Sequence, residues 1–263
     1  MRLGIISALH EEQQGLVEAL QRPYKRTHGL RDYWLGSCFD IDAVCVLSRI
    51  GKVAAAMTAT TLVEKFGVTH ILFTGVAGAG DRSIRVGDIV VADSLVQHDM
   101  DASPLFPRYE VPLTGRTYLP ADHPMTLQLA DAARQFLDDE FETAIAPAER
   151  ALFGLDQPRL HRGLVASGDQ FIHDREWIDG LNAALSGLLA VEMEGAAVAQ
   201  VCHELGIPFA VIRTISDNAN ENAATDFTHF VKSVAAQYAF RIVRRFCLDA
   251  RDRLQASSVS GAT

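Results

Sequence analysis

The sequence predicts an α/β fold: a single domain of three layers, with a central mixed, largely parallel sheet flanked by helices. Three observations predict it. Apolar runs suited to buried strands alternate with helix-spaced segments, an order that gives a parallel sheet covered on both faces. With 263 residues, 48% of them hydrophobic, the chain can bury a sizeable core. No internal repeat or linker interrupts it, so one domain is expected over residues 1–253. The remaining stretch, 254–263, ends in the small polar run "QASSVSGAT" and is expected to be a flexible tail.

The elements follow in order. "RLGIIS" (2–7) is a buried strand, and "EEQQGLVEALQ" (11–21) has the three-and-four apolar spacing of a helix. Residues His28 to Arg49 contain "YWLG" and "AVCVLS", a pair of strands. "GKVAAAMTATTLVEKFG" (51–67) reads as a helix stopped by its final glycine. "THILFTG" (69–75) and "DIVVADSLVQ" (88–97) are buried strands. Residues 98–120 form a long loop with three prolines in "DASPLFPRYEVPLTG". A helix over 123–140 precedes a weakly helical insertion reaching about residue 160. The strand "RGLVAS", a short helix near 174–180, the strand "LLAVEM" and a helix from Gly195 to Leu205 come next. "PFAVIRT" is the last strand, and a long helix spans Asp226 to Arg253.

Composition narrows the function. Asp and Glu number 33 against 24 Lys and Arg, a formal charge of −9, which disfavours a nucleic-acid partner. No apolar run is long enough for a bilayer and no signal segment opens the chain, so no membrane is expected. Cys38, Cys45, Cys202 and Cys247 show no CxxC spacing. They read as reduced thiols of a cytoplasmic protein, and neither a metal nor a cofactor is expected.

Ligands of such sheets gather beyond the carboxyl ends of the strands. "SALHEE" (7–12), "TGVAGAGD" (74–81) and "RTISDNAN" (213–220) are polar strand ends, and "VEME" (191–194) is a fourth. The glycines of "TGVAGAGD" run G-x-x-G-x-G, without a following helix or a Lys-Ser or Lys-Thr pair, so neither a dinucleotide nor a phosphate loop fits. Singly, each acid has a bland explanation. Asp217 can cap a helix, and Glu11 and Glu12 suit a helix N-terminus. Together they form a set of carboxylates able to converge on one cleft, where burial and repulsion raise pKa values.

Five stretches occur in sequence: "IGKVAAA" (50–56), "VGDIVVAD" (86–93), "SGDQFI" (167–172), "VEMEGAAVA" (191–199) and "RTISDNA" (213–219). With them the chain resembles the purine nucleoside phosphorylase and nucleosidase superfamily, and within it the 5'-methylthioadenosine/S-adenosylhomocysteine nucleosidases. The resemblance runs from Met1 to about residue 250, outside the stretch near 140–160. It implies a nucleoside phosphorylase-like fold and hydrolysis of the N-ribosidic bond of methylthioadenosine or S-adenosylhomocysteine, releasing adenine.

It also implies roles. Asp217 would protonate adenine N7, oriented by Ser216, and would need a raised pKa to do so. Phe171 would stack on the base and the Ile172 main chain would read its edge, although on spacing alone both suit a core. Glu194 would bind the ribose hydroxyls above Met193, and Glu192 would support the site. Glu12 would activate water beside Arg213, and Phe227 would cover the 5'-substituent. Leu9 and Val76 fall among the substrate-binding positions. A homodimer is implied, with Ile50 and Ala102–Phe106 near the neighbouring site. Two positions depart from the family pattern: Val76 replaces a small hydroxyl residue and Arg49 a glycine. A phosphate-dependent purine nucleoside or methylthioadenosine phosphorylase is the alternative activity, and a nucleoside-binding module without turnover is the alternative of another class.

Overall fold

A computed structural model of the chain describes residues 1–217 and 227–260. Asp226, Asn218, Ala219 and Asn220, which the sequence reading placed in a helix start and a strand-end loop, lie outside the described residues.

Strand β1 (Arg2–Ser7) leads into helix α1 (His10–Glu18), then β2 (Leu20–His28), β3 (Arg31–Cys38) and β4 (Ile41–Leu47). Helix α2 (Lys52–Phe66), β5 (His70–Ala79) and β6 (Ile89–Gln97) follow. After the loop come β7 (Leu119–Pro120), α3 (His123–Asp139), two short helices α4 (Phe141–Ala144) and α5 (Pro147–Phe153), and β8 (Leu160–Ser167). Then α6 (Arg175–Ala184), β9 (Leu188–Glu192), α7 (Gly195–Leu205) and β10 (Phe209–Asp217) alternate. The chain finishes with α8 (Phe227–Phe230), a π-helical turn over Val231–Ala235 and α9 (Ala236–Ser260).

The sheet runs β10-β6-β8-β9-β5-β1-β4-β3-β2, and β10 also pairs with β5, so five of the strands close into a ring. From β5 strands β1, β4, β3 and β2 extend as an open sheet, while β7 pairs with β6. Among the described residues, five pairings are parallel and five antiparallel. The sheet is thus more evenly mixed than strand–helix alternation implies, because β9, β10 and the β2–β4 meander add antiparallel pairs.

Two apolar layers sandwich the sheet, and strand alternation assigns residues to them. Leu3, Ile5 and Cys45 pack with Leu129 and Phe136 of α3 and Tyr238 and Phe246 of α9. Ile6, Val44 and Val46 pack on the other face with Leu62 of α2 and Val198 of α7. Helix α2 stops at Gly67 in the left-handed conformation (φ 65°), which glycine adopts without a Cβ clash.

Several boundaries differ from expectation. Helix α1 ends at Glu18, and residues 20–28 form a strand that hydrophobic patterning does not reveal. Strand β2 is buried only at Leu20 and its register shifts between Gln21 and Tyr24, around Pro23. Such a polar, proline-bearing strand is how a sheet edge is protected from further pairing. "TGVAGAGD", expected beyond the strand end, is for the most part the second half of β5. Residues 254–260, expected in the tail, continue α9; residues 261–263 lie outside the described residues. Among the described residues no helix is long and apolar enough to cross a membrane.

Candidate active site

The central feature of the site follows from strand order. β5 lies between β1 and β10, so the residues following β1 and those ending β10 stand on opposite sides of the β5 glycines. Arg213 pairs with Gly75, and Asp217 with Gly78. Three residues of strand separate those levels, roughly 10 Å. A cleft runs along this span, enclosing about 770 Å³ between its walls, part of it open to solvent.

The structure brings every candidate residue to this cleft: Asp217, Glu12, Arg213, Ser216, Phe171, Ile172, Met193, Glu194, Glu192, Val76, Phe227, Leu9 and Ile50 all line it. Ala102–Phe106 does not line it within this chain. Patterning gave no reason to single out Ala8, Gly75, Ala77, Gly78, Gln170 or Val191, which line it too. Gln170 had one legible signal, its place directly before Phe171.

Glu12 occupies the first turn of α1, and its Oε2 accepts hydrogen bonds from the main-chain N–H groups of Ala8 (3.1 Å) and Leu9 (3.0 Å). This is the reach-back of a capping box, in which a third-position glutamate satisfies an orphan donor at the helix start. Glu12 therefore serves as a helix cap and also lines the cleft. One oxygen fixes the carboxylate, while Oε1 is buried with no hydrogen-bond partner. Burial raises the carboxyl from 4.5 to about 7, against the lowering effects of the Leu9 N–H and the Arg213 charge. A Cβ added at Gly75 would lie 3.4 Å from Oε1 and 3.5 Å from Arg213 Nη1, so the glycine keeps side-chain atoms away from that oxygen.

The two acids of "VEME" part company. Glu192 Oε2 accepts from Arg213 Nη2 at 2.8 Å, and the pair is almost completely buried. Glu192 also accepts from the Ser167 hydroxyl and from the main-chain N–H groups of Glu194 (3.1 Å) and Gly195 (2.8 Å). It thus neutralises the arginine and caps α7 at once, a fully satisfied buried ion pair. The Arg213 guanidinium lies 4.1 Å from the centroid of the Phe73 ring. Glu194 turns to the cleft, where its Oε1 accepts from the Gly51 N–H at 2.7 Å. Burial, and next the charge of Glu192, push its carboxyl up to about 8.

At the far end, β10 shifts register between Ile215 and Asp217. Strict alternation would send Ser216 and Asp217 to opposite faces; the bulge lets both line the cleft. The Ser216 hydroxyl donates to Asp217 Oδ2 at 2.8 Å. Phe171 is 48% exposed, so it is not the core residue its spacing suits. Its ring meets that of Phe227 edge-on, with centroids 6.3 Å apart. Ile172 packs at the border of a small apolar cluster that includes Ile178 and Val191.

The sequence pattern of the phosphorylase superfamily matches residues 2–247. A 5'-methylthioadenosine/S-adenosylhomocysteine nucleosidase of Shewanella frigidimarina is 34% identical over 92% of this chain and 97% of its own. The same-named nucleosidase from S. pneumoniae, solved with the transition-state inhibitor MT-ImmA, is 33% identical. It covers 94% of this chain and 99% of its own, with a TM-score of 0.79. The futalosine hydrolase of Helicobacter pylori is 30% identical over 94% of this chain and 97% of its own, also with a TM-score of 0.79. The chain belongs to the phosphorylase superfamily and, within it, to the 5'-methylthioadenosine/S-adenosylhomocysteine nucleosidases.

Proposed function

We propose that this chain hydrolyses the N-ribosidic bond of 5'-alkylthio-adenosines such as methylthioadenosine and S-adenosylhomocysteine, releasing adenine. The observation that carries the reading is the buried Glu12 Oε1, without a hydrogen-bond partner, in a cleft that Asp217 also lines.

Bond cleavage leaves negative charge on the base and oxocarbenium character on the sugar. Asp217, steadied by the Ser216 hydroxyl, delivers a proton to N7 as that charge develops. Glu12, fixed through Oε2, takes a proton through Oε1 from a water on the opposite face of C1'. Glu194, with Oε1 held by Gly51, presents Oε2 to the ribose hydroxyls above Met193. Phe171 and Phe227 flank the base and the 5'-substituent. A positioned acid or base contributes about 10²–10⁴-fold.

Water is preferred to phosphate on electrostatic grounds. Among the described residues Arg213 is the one cation lining the cleft, and it is bound to Glu192. A phosphate dianion there would find no uncommitted positive charge among the described residues, and it would oppose the ionised form of Glu12 that water activation uses. Val76 in place of a hydroxyl removes a further donor.

The exposed apolar residues Ile50 (58%), Val53 (82%) and Leu105 (83%) support a homodimer in which Ile50 and Ala102–Phe106 approach the neighbouring cleft. Four unpaired cysteines suit the reducing cytoplasm. Adenine release from methylthioadenosine in phosphate-free buffer tests the reading. Release that appears only on adding phosphate establishes a phosphorylase instead, and tight binding without product establishes a binding module.

A further inference from the structure

Three residues outside the cleft close a hydrogen-bonded ring behind it. The Asp169 N–H donates to Asp99 Oδ2 at 2.9 Å, and Asp169 Oδ1 accepts from the Lys52 main-chain N–H at 2.7 Å. Lys52 Nζ returns to Asp99 Oδ1 at 2.6 Å and also donates to Gln97 Oε1 at 3.0 Å. The Lys52 and Asp99 side chains are 15% and 26% exposed, shielded enough for the pair to hold its geometry. Burial raises the Asp99 carboxyl, but the hydrogen bonds from Lys52 and Asp169 outweigh it and keep the group below the usual range.

The position of this ring in the chain gives it a role. Asp169 directly precedes Gln170, Phe171 and Ile172, which line the cleft. Lys52 directly follows Gly51, whose N–H holds Glu194. Consecutive N–H groups at the start of α2 thus bind the ribose-side carboxylate and the segment assigned to the base. Gly51 adopts φ 98°, and a Cβ there would come 3.1 Å from Asp169 Oδ1. On the other side, a Cβ at Gly168 would fall 2.1 Å from His98 Cε1. The His98 ring is itself set edge-on to Trp177 at 5.0 Å. The segment is therefore clamped at both glycines.

We infer that Asp169, Lys52 and Asp99 are positioning residues that fix the distance between the base-recognition segment and Glu194. The same ring holds the base segment itself in place, so loosening it weakens adenine binding, and because a nucleoside bridges both parts it also raises KM while leaving the chemical step intact. The inference rests on the proposed reading that Phe171 and Ile172 take the base.

The test uses the full chain with Asp169→Ala and Asp169→Asn. It measures the adenine Kd by calorimetry, and kcat and KM for methylthioadenosine. Losing a charged hydrogen-bond acceptor should raise Kd and KM about tenfold in the alanine variant, with kcat within about threefold of wild type. Asparagine keeps an oxygen for the Lys52 N–H and should restore most of the affinity. If Asp169→Ala does not fold, Lys52→Met carries the same test, since it removes the side-chain link and spares the main-chain donor. An unchanged adenine Kd, or a lost kcat with KM unchanged, overturns the inference. Wild-type protein that binds no adenine overturns the base-side reading and this inference with it. Wild-type binding beside an unaffected Asp169→Ala overturns this inference alone.

Discussion

Glu12→Gln should destroy activity and stabilise the protein at the same time, with a pH dependence that identifies the cause. The Glu12 carboxyl is raised from 4.5 to about 7 by burial, so the folded state holds a proton that the unfolded chain has already released. Between those values the folded state binds more protons, and stability therefore falls as pH rises. At about 1.4 kcal/mol per pH unit, ionised Glu12 destabilises the fold by about 3 kcal/mol once pH exceeds 7. Glutamine resembles the protonated carboxyl and retains an oxygen for the Ala8 and Leu9 N–H groups. Urea titration at pH 8 should therefore show the variant more stable by about 3 kcal/mol, and near pH 4.5 the advantage should vanish. Turnover should drop by at least about 10²-fold, as expected for a lost general base. Equal stability of the two proteins at both pH values would refute the claim that this carboxylate is held against its own desolvation.

Other outcomes follow from the same geometry. Asp217→Asn should lower kcat by about 10²–10⁴-fold while KM stays near the wild-type value; equal damage to both would remove it as general acid. The wild-type kcat/KM should fall about tenfold per pH unit below about 7, as Glu12 takes up its proton, and a flat profile down to pH 5 would exclude it as base. Glu192→Ala leaves Arg213 buried without its partner and should lose about 3–5 kcal/mol of stability in denaturant titration. Glu194→Ala removes a buried carboxyl that burial raises to about 8, so it should lose no stability at neutral pH while raising KM; similar melting losses in the two variants would merge roles that the geometry separates. Gly75→Ala sets a methyl group against Glu12 Oε1 and should cut kcat with little change in melting temperature; full activity would place the attacking water elsewhere.

Legibility in the sequence followed burial. Central strands such as β1, β5 and β10 are apolar through most of their length, and their runs were visible as strands. β2 was not, because an edge strand gains by looking polar: seven of its nine residues are exposed, and only its pairing to β3 makes it a strand. The glycine-rich composition of "TGVAGAGD" suits a loop beyond a strand end, which is where the sequence places it. Pairing with β10 and β9 on its two sides overrides that preference. At the site, the family resemblance supplied the thirteen candidate residues and already separated Glu194 from Glu192, but the physical cause of that separation is visible only in the coordinates. Two residues apart in sequence, one faces a buried guanidinium and a helix end, and the other faces open space. Spacing alone cannot distinguish them. The Asp169–Lys52–Asp99 ring was equally hidden, since its members are 47, 70 and 117 positions apart.

A crystal structure of the Glu12→Gln variant with methylthioadenosine bound tests the central claim most directly. The account predicts adenine N7 within hydrogen-bond distance of Asp217, the ribose hydroxyls on Glu194, and the face of C1' opposite the base turned toward Gln at position 12. A nucleoside seated with its base at the α1 end, or with both carboxylate positions on the same side of the sugar, would contradict it.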